Sequence, residues 1–203
     1  MSTIEGSLSY SPSMKPGALS RHRSVFSNHV LGMLIFIFTE LMFFTGVISA
    51  YIIIKAGRAD NWVPPGEVRL PVEATAFNTL MLLISGVLIF LAGRKLEQSK
   101  RDEAITLFTW SIILGAFFVV FQGSEWVQLM AGGMTMKAGV FSACFYLLIG
   151  SHAFHATAAI IAMLFVLVSL RKNELPLSAF RAMQLFWGFV VAIWPVLYVL
   201  VYF

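Results

Sequence analysis

Four ionisable side chains lie inside otherwise apolar runs: Glu40, Glu125, His152 and His155. Glu40 belongs to FTELMFFTGVISAY, part of an uncharged-but-for-one stretch from Val30 to Ile54. His152 and His155 form SHAFH, an i, i+3 pair that puts both rings on one helix face. Glu125 follows Gln122 in FQGSEW. Charge is expensive in hydrocarbon: insertion scales put a central Asp, Lys or Arg at about 2.5–3.5 kcal/mol. Such a group turns into a bundle, finds a partner or stays neutral. Three chemistries fit these residues. A Glu–His hydrogen bond between helices can be purely structural, worth about 0.6 kcal/mol on average. The same pair can hold a proton or order water. Two His and one carboxylate can also hold a metal ion. Against the metal, the chain has four His, and His22 and His29 lie near one end of the first apolar run. A di-metal box needs more ligands. Two His on one face of one helix cannot take opposite sides of a single haem. Neither a metal nor a redox cofactor is therefore expected in this chain.

The elements that position these groups follow from composition. The 203 residues are 59% hydrophobic and 12% charged, with a mean hydropathy of +0.84. Soluble domains average about 25% charged residues. A membrane-crossing helix needs about 20 mostly apolar residues, and five segments qualify: 28–55, 74–93, 104–131, 138–170 and 179–203. They are too long for barrel strands, which need about 10 residues and alternate in polarity. The expected fold is all-α, a polytopic membrane bundle of five transmembrane helices over 28–203. Residues 1–27, polar and rich in Ser and Pro, read as a flexible cytoplasmic tail without the apolar core of a secretory signal. Between the spans lie breakers: Pro64, Pro65, Gly66 and Pro71, a charged link after Gly93, a glycine turn at 132–133, and Pro176.

Charge sets the expected orientation. Ten Lys and Arg fall in the tail and in the links 94–103 and 171–181, against four (Lys55, Arg58, Arg69, Lys137) in the other two links. The positive-inside rule then puts the N-terminus inside and the C-terminus outside. The net charge of +4 carries no basic stripe with aromatic reading residues, which argues against nucleic acid as a partner. Cys144, the single cysteine, reads as a small packing residue. Gly46 with Ala50, Ala138 with Ser142 and Gly139 with Ala143 have the four-residue spacing of close helix contacts, which ordinary small-residue frequency also produces. Gly123 and Ser124, beside Glu125, are further candidates for a close approach.

Taken together, several motifs resemble a known family. FTELMFFTGVISAY resembles the buried-glutamate helix of cytochrome c oxidase subunit III. NWVPPGEVRLPVEATAFNTLMLLISG resembles that family's W-P-P-P-G loop and L-N-T-x-x-L-x-x-S-G helix, with Trp62, Asn78, Thr79, Ser85 and Gly86 at the matching places. Gln122 and Glu125 match Q-x-x-E-Y, and His152 and His155 match G-F-H-G-L-H-V. The last helix departs from the family: Gly188 and Val191 replace the His and Asp of W-H-F-[VL]-D.

The resemblance implies a short, five-helix bacterial form in the cytoplasmic (inner) membrane. It implies a non-redox core subunit of an aerobic terminal oxidase that reduces O2 to water and pumps protons. Such a subunit docks on catalytic subunit I beside the other oxidase subunits, which carry haem and copper. It supports assembly, stability and proton uptake, and holds phospholipid in a cleft. Glu40 matches the family's buried, carbodiimide-reactive acid, and Glu125, His152 and His155 are the other candidate proton-linked polar groups. Trp62, Arg94 and Asn78 are candidates for lipid or partner contact. Two alternatives are a subunit III-like accessory protein of nitric oxide reductase and an independent proton-coupled transporter, although no inverted repeat supports the latter.

Overall fold

The computed structural model describes residues 27–58, 62 and 72–202. The expected tail up to Phe26 and the Pro64–Pro65–Gly66 loop lie outside the described residues. Five helices occupy almost everything else: α1 (Asn28–Ala56), α2 (Val72–Glu97), α3 (Arg101–Ala131), α4 (Val140–Arg171) and α5 (Leu177–Tyr202). All five are long and apolar enough to cross a membrane. The architecture is all-α, with no strand among the described residues. The helices outrun the apolar segments at the charged ends, where α2 continues through Arg94, Lys95 and Glu97 and α3 starts at Arg101. Arg, Lys and Glu are good helix formers, so loss of hydropathy does not end a helix.

Three of the helices end on a change of backbone hand. Ser99 (φ 60°), Gly133 (φ 92°) and Asn173 (φ 65°) follow α2, α3 and α4 in the left-handed region. The chain then closes back: Lys100 N–H donates to Lys95 C=O, Met134 to Leu129 and Glu174 to Ser169. These bonds satisfy carbonyls that a helix C-terminus leaves unpaired. Tyr146 Oη donates to Met134 C=O at 2.7 Å, tying the α3–α4 turn to α4.

Helix α5 is central. It packs against α1, α2 and α4, while α3 closes the opposite side against α2 and α4. Its Trp187 and Trp194, seven residues apart on one face, are fully buried. Their indole N–H groups donate to α2: Trp187 to Ser85 Oγ at 3.0 Å, Trp194 to Thr79 Oγ1 at 2.8 Å. Tyr198 Oη extends the series to Val72 C=O at 3.0 Å. On its other flank α2 meets α3 through a reciprocal pair, with Ser85 Oγ donating to Ser111 C=O (2.7 Å) and Ser111 Oγ to Ser85 C=O (2.8 Å). Hydrocarbon offers these groups no competing water, so each finds a partner within the bundle.

Close approach comes from glycines other than those singled out by spacing. A Cβ at Gly115 would lie 2.7 Å from Trp187 Cζ2, one at Gly93 2.7 Å from Gln184 Oε1, and one at Gly86 3.0 Å from Val191 Cγ1. Around Gly46, Gly123 and Gly139 a Cβ would meet nothing within 4 Å. The spacing pattern registers small residues but not which helix face they occupy.

Candidate functional site

Glu40 is carried by α1 and His155 by α4, near the middle of each helix. Glu40 Oε2 lies 2.7 Å from His155 Nε2, and the two side chains are 17% and 13% exposed. The other ring nitrogen, Nδ1, lies 2.7 Å from Ser151 C=O one turn back. A carbonyl only accepts, so Nδ1 must carry a hydrogen. Nε2 and Glu40 Oε2 then share the second proton: imidazolium facing carboxylate, or neutral imidazole facing carboxylic acid. In either form the pair is net neutral. Phe43, Phe44 and Phe154 surround the imidazole, with ring centroids at 6.0, 5.1 and 5.7 Å. The pair sits at mid-depth, walled by aromatics and placed at the edge of the bundle.

His152 has different surroundings. It is 1% exposed, between Trp194 (5.0 Å), Phe118 (6.2 Å) and Phe44 (6.4 Å). Glu125 is buried in the α2–α3 contact, 5% exposed. Its Oε2 accepts from Thr75 Oγ1 at 3.1 Å and from Gln122 Nε2 at 3.0 Å. The structure thus joins Glu40 with His155 and Glu125 with Thr75 and Gln122; the four expected residues form no single cluster. Among the described residues no three His, Cys, Asp or Glu converge as a metal site would require.

The remaining candidates separate by location. Trp62 packs edge-on between Tyr51 (5.5 Å) and Phe141 (5.4 Å), where α1 ends and α4 begins. Asn78 has no exposed surface; its Nδ2 donates to Phe118 C=O at 3.1 Å, an α2–α3 contact in place of the lipid or partner contact expected of it. Arg94 lines a groove of about 890 Å³ between α1 and α2, floored by α5. Leu34, Ile37, Phe90 and Phe189 give this groove an apolar wall, and Arg181, Gln184 and Ser178 join Arg94 at its polar end. Arg181 Nη2 also donates to Glu97 Oε1 at 2.9 Å. Of the two departures from the family's last-helix motif, Gly188 faces this groove, where a Cβ would meet nothing within 4 Å, and Val191 packs on Gly86 in the α5 contact with α2.

Sequence reasoning did not single out Thr75, Arg181, Trp187 or Trp194. The seven-residue spacing of the two tryptophans, with Ser and Thr on α2, is the signal that could have found the α2–α5 seam. Nothing local marks Thr75 as the partner of Glu125, because that contact spans 50 residues of chain.

Five apolar helices locked by internal polar bonds, with a paired acid and imidazole at mid-depth, define a polytopic integral membrane bundle. Comparison with known proteins is specific. The family model described as cytochrome c oxidase subunit III matches residues 16–203. The probable cytochrome c oxidase subunit 3 of Mycobacterium tuberculosis is 29% identical over 183 residues, covering 85% of this chain and 86% of the relative. Those of Thermostichus vulcanus and Corynebacterium diphtheriae are 30% and 32% identical over 178 residues, each with the same 85% and 86% coverage. The chain belongs to the cytochrome c oxidase subunit III family, and its role is that of a membrane subunit of a terminal oxidase complex.

Proposed function

We propose that this chain is the non-redox third core subunit of a bacterial oxidase that reduces O2 to water and pumps protons. In this reading haem and copper reside in partner subunits, and subunit I is the principal contact. The chain lies in the cytoplasmic membrane with its N-terminus inside, since the basic ends of α2, α3, α4 and α5 gather on one side. It contributes assembly, stability and proton supply.

The observation that carries the proton role is the Glu40–His155 pair. A carboxylate at mid-depth next to a lone hydroxyl would be only a packing contact. Next to an imidazole whose other nitrogen is already committed to Ser151, it shares a proton that can leave only by charging the pair.

The groove between α1 and α2 supports the phospholipid role. Its apolar wall fits acyl chains, and the Arg94 guanidinium with Ser178 and Gln184 fits a phosphodiester headgroup through charge-assisted hydrogen bonds, beside the Arg181–Glu97 ion pair of the same groove.

Affinity purification of the chain from native membranes tests the reading. Expected are co-purifying haem absorbance, O2 consumption and phospholipid retained after detergent exchange. A chain that is stable alone, free of haem-bearing partners, would contradict it and favour an independent transporter.

A further inference from the structure

Between α3 and α4 lies a cavity of about 350 Å³, its floor formed by buried Phe118, Gln122, His152 and Trp194 and its mouth by exposed Gly123, Phe154 and Thr157. Most of its wall is apolar, yet four polar side chains line it: Gln122, Trp126, His152 and Thr157, of which Thr157 Oγ1 already donates to Ala153 C=O. Among the described residues, neither ring nitrogen of His152 has a hydrogen-bond partner, nor has Gln122 Oε1 or Trp126 Nε1. His155, three residues from His152 on the same helix, has both nitrogens engaged. Buried polar groups are paired in nearly all proteins, and exceptions mark water or ligand.

We propose that this cavity is a water-binding site. The chemistry of the unpaired atoms selects the occupant. A neutral imidazole offers one N–H and one lone pair, Trp126 offers only a donor, and Gln122 Oε1 offers only an acceptor. An acyl chain satisfies none of them. A single partner side chain reaching in from the membrane does not answer donors and acceptors on three separate residues. Water does both, and the volume holds several molecules, each needing two to four polar contacts. Gln122 already donates through Nε2 to Glu125, which accepts from Thr75. Water on Gln122 Oε1 and His152 therefore extends that cluster into one hydrogen-bonded array running from α2 through α3 to α4. Phe44 separates the array from the Glu40–His155 pair, so it is a second polar site, distinct from the first.

Two measurements on the intact oxidase in lipid nanodiscs test this. A cryo-EM map resolving ordered solvent is expected to show density peaks 2.7–3.2 Å from a His152 ring nitrogen and from Gln122 Oε1. In the His152→Phe variant the peak at residue 152 is expected to disappear. If that variant does not assemble, radiolytic hydroxyl-radical labelling of the wild type gives an independent answer. Phe118, which lines the cavity, is expected to label several-fold faster than Phe108, equally buried but packed on Phe180 away from it. A dry cavity, acyl-chain density or a partner side chain in it, or equal labelling of Phe118 and Phe108, would overturn the proposal.

Discussion

The α2–α3–α5 seam and the α1–α4 edge both bury polar groups at membrane depth, but they are built differently. In the seam every helix is gripped on two sides. Hydroxyls of Ser85 and Thr79 receive indole N–H bonds from α5, and glycines bring the backbones close. At the edge, α1 contributes only Phe44 and Tyr51 to the buried set. Its acid reaches one imidazole, and a groove separates it from α2. A polar group in the seam fixes geometry because its surroundings leave it one arrangement. A polar group at the edge sits in a looser, partly accessible setting: the Glu40 and His155 side chains keep 17% and 13% of their surface exposed. Polar content alone does not distinguish structure from function inside a membrane; packing around it does.

Substitutions should expose this contrast, most sharply in the seam. Gly115→Leu would drive a side chain into Trp187, a clash of the kind that costs about 1–3 kcal/mol or more. The oxidase should lose this subunit on purification, as seen on denaturing gels. A smaller loss is expected from Trp187→Phe, which removes the donor to Ser85 and should lower stability by about 1 kcal/mol. Thermal denaturation of the purified complex would register it as a lower midpoint. Glu40→Gln comes next. A carboxamide can donate to Nε2 while Nδ1 keeps its bond to Ser151, so the stability change should stay near the about 0.6 kcal/mol typical of such contacts. Gly46→Ala closes the series with no measurable change in subunit content, since a Cβ there meets only open space. A large effect at Gly46 would show that the α1 face is covered tightly by another subunit.

Much of the fold was legible because apolar runs of membrane length have few other solutions. Helix ends were less so: Arg94, Lys95 and Glu97 break the hydropathy without breaking the helix. The candidate site was legible as residue types and as a Glu–His bond between the first and fourth spans, but not as which His makes that bond. Residues i and i+3 are about 60° apart around the axis. That angle is enough to turn His155 to α1 while His152 turns towards α3 and α5. No spacing rule states which of the two meets Glu40. Asn78 looked like a surface contact by motif alone, yet it is buried because the same face of α2 carries Thr75, Leu82 and Ser85 inward. Gly46 and Gly139 show the converse, small residues whose face is open.

The shared proton between Glu40 and His155 is the centre of the functional account, and Glu40→Gln removes it while leaving a hydrogen bond in place. The direct measurement is the initial rate of proton uptake during turnover, with the number of turnovers before inactivation, in intact oxidase carrying this substitution. Unchanged haem content and subunit composition are predicted, together with slower uptake or earlier inactivation than in the wild type. Uptake and lifetime identical to the wild type would contradict the account and reduce the pair to a packing contact.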